Sequence, residues 1–235
     1  MTSDGLPLPP MPATSPSAPW LLLQLTDGSF PSGAFAHSAG LEAAVRLGGL
    51  QAVEPFLDQL LVQTAYSALP FVRAACHGTE SLADLDEAYD ATIANHVANR
   101  ASRAQGRAFV SAAARIFEEP PRAQLVGAVA EHAERGPAHY APMLGAICNA
   151  LGVQARDAQI VFLHGTARTV LSAAVRLSLI GPLEAQRIQA GRSGLLDHLL
   201  AQCTHRTVED AAQTAPLVEI YGALHDELDA RLFQS

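Results

Sequence analysis

Residues 160–177 read I-V-F-L-H-G-T-A-R-T-V-L-S-A-A-V-R-L, and they carry the clearest helical pattern of the chain. Apolar residues recur there at spacings of three and four, the period of a buried helix face. That face comprises Ile160, Leu163, Ala167, Val170, Leu171, Ala174 and Leu177. Residues 159–163 alone could form a short buried strand, but they continue without a break into the helical pattern. The pair Gly181-Pro182 is expected to end the helix.

The neighbouring segments have the same helical character. Apolar and small residues again recur at spacings of three and four after Pro55, and Ser81 with Asp84 is typical of a helix N-cap. The face after Pro55 comprises Phe56, Leu57, Leu60, Leu61, Thr64, Ala65 and Ala68. Helix breakers occur at residues 48–49, 78, 120–121, 136–137, 152, 181–182 and near 216. They divide residues 20–235 into about eight to ten helices, so the sequence predicts an all-α, single-domain bundle.

The N-terminal residues 1–19 differ in composition from the rest. They are dominated by Pro, Ser, Thr and small side chains, which bury too little apolar surface to fold, so we expect a flexible, disordered arm. No basic segment followed by an apolar one resembles a signal peptide, and no apolar run approaches the roughly 18 residues that span a bilayer. We expect a soluble, cytoplasmic protein that does not bind membranes.

The charge and cysteine content narrow the possible functions. The 235 residues carry 23 acids and 15 bases, a net charge of −8, and every base is arginine. Without clustered positive charge, nucleic acid is not expected as a partner. Without lysine, a P-loop or a Schiff-base lysine is excluded. The cysteines Cys76, Cys148 and Cys203 are widely spaced and are expected to be free thiols in the core.

Catalytic and metal-binding signatures are weak. Residues 36–40 (A-H-S-A-G) resemble the G-x-S-x-G elbow of serine hydrolases, but that elbow needs a preceding strand, and the surroundings here are helical. The pairs His132/His139 and His198/His205 lack a third nearby ligand of the kind a stable metal site requires. We therefore expect neither an enzyme nor a stably bound metal or cofactor.

Two features favour contacts with other proteins. Arg100, Arg103 and Arg107 recur at i, i+3 and i+7 and should share one helix face, which is either a solvated surface or a site that binds carboxylates of a partner. Residues 26–42 read T-D-G-S-F-P-S-G-A-F-A-H-S-A-G-L-E, where Pro31 and Gly33 demand a specific turn. Two phenylalanines flank that turn as apolar anchors. It is either a connector between helices or a contact surface.

Five segments, taken in order, resemble the UreF family of urease accessory proteins. Residues 31–42 (P-S-G-A-F-A-H-S-A-G-L-E) are similar to the hallmark turn of that family. The others are residues 102–109 (S-R-A-Q-G-R-A-F), 139–152 (H-Y-A-P-M-L-G-A-I-C-N-A-L-G), 172–188 (S-A-A-V-R-L-S-L-I-G-P-L-E-A-Q-R-I) and 225–235 (H-D-E-L-D-A-R-L-F-Q-S). Asp226 departs from the usual Glu, and Ala141 shifts the family's proline by one position.

The resemblance implies an all-α homodimer that has no activity of its own. UreF-like proteins bridge the accessory protein UreD (also called UreH) to the GTPase UreG, and the complex delivers Ni²⁺ to apo-urease. The residues that match the turn motif are Pro31, Gly33, Phe35, His37, Ser38, Gly40 and Glu42; by resemblance they lie near the dimer axis, at a surface used by the GTPase or by metal in transit. The residues that match the C-terminal motif, which docks UreD, are Arg231, Leu232, Phe233 and Ser235.

Three further interpretations remain at this stage. Arg103 and Arg107 are additional candidates for an interface. A soluble metallochaperone that binds nickel directly through histidines is the alternative function. The C-terminal residues could also be a chain end that packs on its own domain.

Overall fold

The computed structural model describes residues 18–235, and these form twelve α-helices and three short 3₁₀ helices without a strand. The α-helices are α1 (Ala18–Thr26), α2 (Leu41–Arg46), α3 (Val53–Ser67), α4 (Leu69–His77), α5 (Leu82–Thr92), α6 (His96–Ile116), α7 (Arg122–Arg135), α8 (Tyr140–Ala150), α9 (Ala155–Arg176), α10 (Pro182–Gly191), α11 (Ser193–Cys203) and α12 (Pro216–Leu224). The 3₁₀ helices are Ala34–Ala36, Val208–Asp210 and His225–Glu227. The all-α prediction is confirmed.

The described helices outnumber the predicted eight to ten because some neighbouring helices are separated without a breaker pair. Helices α3 and α4 are separated at Ala68 alone, and α10 and α11 at Arg192 alone. The predicted breakers all lie between helices or at their first residues. Ser81 is an N-cap as expected, and its hydroxyl accepts a hydrogen bond from the Asp84 amide. Most of the predicted N-terminal arm lies outside the described residues, and its last two residues begin α1.

Helix α8 lies at the centre and packs against α4, α6, α7 and α9. Its residues 141–148 are all buried. Gly145 permits a close approach of α8 to α4, because a Cβ there would overlap the Val72 carbonyl oxygen of α4. The three cysteines are free and buried in this core, as predicted.

The predicted face of α9 is largely correct but is shifted at its start. Ile160 is 38% exposed, whereas Gln159 is buried. The reason is a specific bond, since the Gln159 side-chain amide donates to the Leu69 carbonyl oxygen over 3.2 Å. Residues 159–163 lie in α9, so the strand interpretation is wrong. None of the helices within residues 18–235 combines the length and the hydropathy that a membrane span requires.

Candidate functional site: the turn and the C-terminal segment

The turn motif contains three left-handed backbone positions, Gly33, Ala39 (φ 54°) and Gly40. Gly33 (φ 76°) precedes the 3₁₀ helix Ala34–Ala36, and Gly40 (φ 85°) precedes α2. These conformations favour glycine, because a Cβ strains them. The two flanking phenylalanines behave differently from each other. Phe30 packs on Phe109 in the core, whereas Phe35 is 69% exposed, so only Phe30 is an internal anchor.

The C-terminal segment, residues 231–235, folds back onto this turn. The Gln234 amide donates to the Ala36 carbonyl oxygen over 2.8 Å. Ser38 donates to the Ser235 carbonyl oxygen through its amide (2.5 Å) and its hydroxyl (2.8 Å). His37 Nδ1 lies 2.7 Å from the Ser235 hydroxyl. The two motifs, almost 200 residues apart in sequence, therefore form one structure, which we call the composite site.

Glu42 is the centre of the composite site. Its carboxylate is fully buried and accepts hydrogen bonds from the Leu232 amide at Oε1 (2.8 Å) and the Phe233 amide at Oε2 (3.0 Å). His225 Nε2 lies 3.3 Å from Oε2, and an Arg46 guanidinium nitrogen lies 3.8 Å from Oε1. Backbone donors thus satisfy a charge that would be very costly to bury without partners.

Arg176, at the end of α9, holds both halves of the composite site. Its guanidinium carbon lies 4.0 Å from the ring centroid of Phe35 and 4.2 Å from that of Phe233. Its Nη1 donates to the Phe35 carbonyl oxygen over 2.6 Å. A guanidinium between two rings makes two cation–π contacts at once. Arg176 therefore couples the exposed turn to the C-terminal segment.

The residues of the C-terminal motif have different environments. Phe233 is only 5% exposed and Ser235 is buried, so both face the protein itself. Leu232 is half-exposed. Arg231 pairs with Asp226 over 2.9 Å, and the same carboxylate oxygen binds Arg100 of α6 over 2.9 Å. Of the two expected apolar anchors, only Leu232 presents its side chain to solvent.

A cavity of about 250 Å³ lies behind the composite site. Its wall includes Phe35, His37, Phe233 and Ser235, and it continues between α3, α6 and α9. Many of its lining side chains carry hydroxyl groups. The C-terminal segment contributes Phe233 and Ser235 to the wall of this cavity.

Arg103 and Arg107 lie on α6 and bind the α7–α8 connection. Arg103 Nε donates to the Pro137 carbonyl oxygen (3.3 Å), and Arg107 Nη2 to that of Gly136 (3.1 Å). The buried Asp86 holds the same connection, because its carboxylate accepts from the Ala138 and His139 amides (2.7 and 2.8 Å). Only Arg100 of the predicted arginine face contacts the C-terminal region.

His132 and His139 bind aspartates of α5. His132 Nε2 lies 2.9 Å from Asp86, and His139 Nε2 lies 2.8 Å from Asp90. Within residues 18–235, no three His, Cys, Asp or Glu side chains are placed to hold a metal ion. Ser38, the candidate nucleophile of the hydrolase interpretation, hydrogen-bonds the chain's own Ser235.

Three histidines should make stability depend on pH: His37, His139 and His164, whose pKa burial also lowers below 6.5. Burial, and then the charge of His225, lower the pKa of His37 below its usual 6.5; burial is also the main cause that lowers the pKa of His139. The unfolded chain therefore binds more protons than the folded chain around and below pH 6.5. The free energy of unfolding should be highest above pH 6.5 and should fall as the pH drops below this value. The urea midpoint measures this change. His37→Asn should flatten this dependence, whereas exposed His77→Asn should retain it.

Gly33 offers a test of the turn geometry. Valine there should lower the free energy of unfolding by about 1–2 kcal/mol, because a β-branched residue is strained at positive φ. It should also displace Phe35 and weaken partner recruitment in a pull-down. Gly152→Val is the matched control, since Gly152 has φ 75° and a Cβ at that position would meet no neighbour within 4 Å. If the two variants recruited partners equally, the turn would be only a connector between helices.

The geometry defines an all-α protein in which a buried polar network joins two motifs that are distant in sequence. The UreF family model matches residues 49–192. Urease accessory protein F of Arabidopsis thaliana is 34% identical over 221 residues, which covers 92% of each chain. Urease accessory protein F of Oryza sativa subsp. indica is 34% identical (91% of this chain, 84% of the relative), and UreF of Photorhabdus laumondii is 27% identical (91% and 96%).

The chain belongs to the UreF family of urease accessory proteins. It is an accessory protein rather than an enzyme.

Proposed function

We propose that this chain is a cytoplasmic, homodimeric scaffold of urease maturation. It bridges UreD (UreH) to the GTPase UreG, so that the complex delivers Ni²⁺ to apo-urease. Family membership supports the role in urease maturation, and the composite site supports the role of a scaffold. Nickel is cargo of the complex in this proposal, and the chain itself binds no metal or cofactor stably.

The composite site carries the proposal. Phe35 and Leu232 present apolar side chains to solvent from a base that Glu42 and Arg176 hold rigid. Exposed apolar groups on a preorganised base lose little entropy on binding, which is typical of residues that dominate the energy of an interface. In this proposal Leu232 contacts UreD directly. Phe233 and Ser235 position it from within.

The turn half of the composite site faces the remaining partners in this proposal. Phe35 is 69% exposed, and Pro31 and Gly33 are also exposed. This half is used by the GTPase or by metal in transit. His37, Ser38 and Gly40 are buried and shape its backbone, so they act through geometry rather than by direct contact.

Arg107 and Arg103 form a second candidate interface on α6. Both bind only backbone carbonyl oxygens among the contacts described above, and Arg107 is exposed. A guanidinium has five N–H donors, so the bond from Arg107 to Gly136 leaves others for a carboxylate of a partner. This surface suits an acidic patch on a partner of the complex.

Removal of residues 231–235 should weaken UreD binding at least about 10-fold. The deletion removes Leu232 and the inner support from Phe233, and hot-spot residues of this kind each contribute about 2 kcal/mol or more. Far-UV circular dichroism should stay nearly unchanged, because the deleted residues are not helical. Leu232→Ser should reproduce most of the effect, whereas Leu125→Ser, an exposed leucine on α7, should not. Unchanged UreD affinity of the truncated chain would refute the docking role.

The overall proposal is tested by co-expression with UreD and UreG. A tagged chain should recover both partners. Light scattering should give the mass of a complex that contains two copies of each of the three proteins. Tight stoichiometric nickel binding by the isolated chain, without complex formation, would instead establish the metallochaperone. Recovery of neither partner and no nickel would overturn both functions.

A further inference from the structure

Ser102 of α6 begins a chain of hydrogen bonds that links a hydroxyl, an imidazole and a carboxylate. Ser102 Oγ lies 3.1 Å from His139 Nδ1, and His139 Nε2 lies 2.8 Å from Asp90 Oδ1. The histidine directly precedes α8 and the aspartate lies on α5, so three different helices bring these groups together. A hydroxyl beside an imidazole that a carboxylate orients is the arrangement that activates serine as a nucleophile.

The positions of the protons in this chain follow from Asp90. Hydrogen bonds from Asn99 and then from His139 lower the pKa of Asp90, so its carboxylate is ionised at neutral pH and can only accept. His139 Nε2 therefore carries the proton that is donated to Asp90. Burial lowers the pKa of His139 below its usual 6.5, so the imidazole is neutral at pH 7. Nδ1 is then unprotonated, and the Ser102 hydroxyl donates to it.

The surrounding structure holds the serine and the imidazole in place. The Tyr140 amide donates to Ser102 Oγ over 3.2 Å, which fixes this oxygen beside the first turn of α8. The His139 side chain is fully buried, and its ring centroid lies 5.3 Å from that of Tyr89 in an edge-to-face contact. Serine proteases bind the aspartate through Nδ1, whereas His139 uses Nε2. Proton transfer requires only that one ring nitrogen accepts while the other donates.

The cavity behind the composite site supplies hydrogen-bond donors beside this serine. Its wall includes Ser102, Tyr89 and Gln105, which lies one turn further along α6. Burial raises the pKa of the Tyr89 phenol, so this hydroxyl stays protonated and can donate. The Tyr89 hydroxyl and the Gln105 amide can bind a carbonyl oxygen that gains negative charge as the serine attacks.

The size and lining of the cavity limit what can reach Ser102. Its volume of about 250 Å³ is below the roughly 300–1,000 Å³ of sites for drug-sized ligands. The wall combines apolar side chains such as Ile93 and Phe162 with hydroxyl groups. This combination suits a small, uncharged molecule with one polar group.

We propose that Ser102 is an activated nucleophile and a site of covalent modification, which takes the acyl group of a small, uncharged ester that enters the cavity. The Ser102 oxygen forms a bond to the ester carbonyl carbon, and its proton passes to His139 Nδ1. The bond from that carbon to the alcohol oxygen breaks, the alcohol leaves with the proton, and the acyl group remains on Ser102. Asp90 is a positioning residue, because it fixes the tautomer of the imidazole. The accessory role in urease maturation is unchanged by this reactivity.

The test treats the full chain with 4-nitrophenyl acetate at pH 7.5 and follows acetylation by intact mass and peptide mapping. The chain contains no lysine, so few amines compete for the reagent. One acetyl group at Ser102 is the expected result, and Ser102→Ala should lose it. Ser111→Ala is the matched control, since Ser111 is an exposed serine of the same helix, and it should react as the wild type does. A folded wild type without acetyl at Ser102 would overturn the proposal.

Asp90→Asn tests the role of the carboxylate and avoids a change in the buried histidine. Asp90 is 41% exposed, so the isosteric amide should leave the circular dichroism unchanged. It should slow acetylation of Ser102 at least about 100-fold, the scale of a lost general base. Nitrogen NMR should show His139 Nδ1 unprotonated in the wild type and protonated in this variant, a change that a purely structural role would not produce. Glu87→Gln, at an exposed position of α5, is the control that should alter neither measurement, whereas an unchanged rate and tautomer in Asp90→Asn would refute the relay.

Discussion

Replacing Glu42 by alanine is expected to lower the free energy of unfolding by about 3 kcal/mol, because it breaks a fully buried charge network. The substitution leaves the Leu232 and Phe233 amides without their acceptor and removes the carboxylate beside His225. It should also release the C-terminal segment. Urea unfolding measures the first effect, and digestion by carboxypeptidase measures the second.

The matched control for this prediction is Glu184→Ala. Glu184 also lies in the first turn of a helix, α10, but it is exposed. It should change stability by less than about 0.5 kcal/mol, as is usual for exposed sites. If Glu42→Ala lost no more stability than Glu184→Ala and digested no faster, the carboxylate would not fasten the segment.

Glu42 marks the limit of what the sequence predicts about the site. The turn motif around it and the motif at residues 231–235 are recognisable separately, each as a partner surface. Nothing in a single sequence pairs two segments almost 200 residues apart, because hydrogen bonds from backbone amides leave no pattern in the side chains. The only available signal is a glutamate among the small and apolar residues of α2, which leaves its partners unspecified.

Arg176 and Gln159 escape sequence reasoning for related causes. Arg176 lies inside a recognisable family segment, but its position between Phe35 and Phe233 depends on where α9 ends relative to two distant loops. Gln159 is buried because one carbonyl oxygen of Leu69 accepts its amide, and periodicity alone assigns Ile160 to that place. The helical period of apolar residues predicts which residues form helices. Specific polar contacts decide which residues of a helix face inward and how the site is assembled.

The helices themselves are predictable because their signals are local. Breakers mark most boundaries, and the predicted face after Pro55 is buried throughout, from Phe56 to Ala68. Helix α12, whose Leu217 and Ile220 are more than half exposed, is a useful exception. Its sequence alone indicates a buried helix. The mismatch between its apolar composition and its exposure is visible only when the sequence is compared with the structure.

Gly106→Ala is expected to destabilise the protein by about 3 kcal/mol, at the upper end of overpacking effects. A Cβ at Gly106 would overlap the Ala138 carbonyl oxygen, and it would lie 2.9 Å from the backbone carbonyl carbon of His139. A backbone carbonyl group cannot relieve such an overlap by changing rotamer, as a side chain can. The α7–α8 connection is also fixed by Asp86 through the Ala138 and His139 amides, so it cannot move away without breaking those bonds.

Gly127→Ala separates this steric effect from the intrinsic preference of alanine for helices. Gly127 lies within α7, and a Cβ there meets nothing within 4 Å. The same substitution should therefore stabilise the protein by up to about 1 kcal/mol. The two variants should shift the urea midpoint in opposite directions. If both variants shifted the midpoint in the same direction, α6 would not pack against the α7–α8 connection as closely as Gly106 allows. Arg103 and Arg107 would then lack the rigid support that the second candidate interface requires.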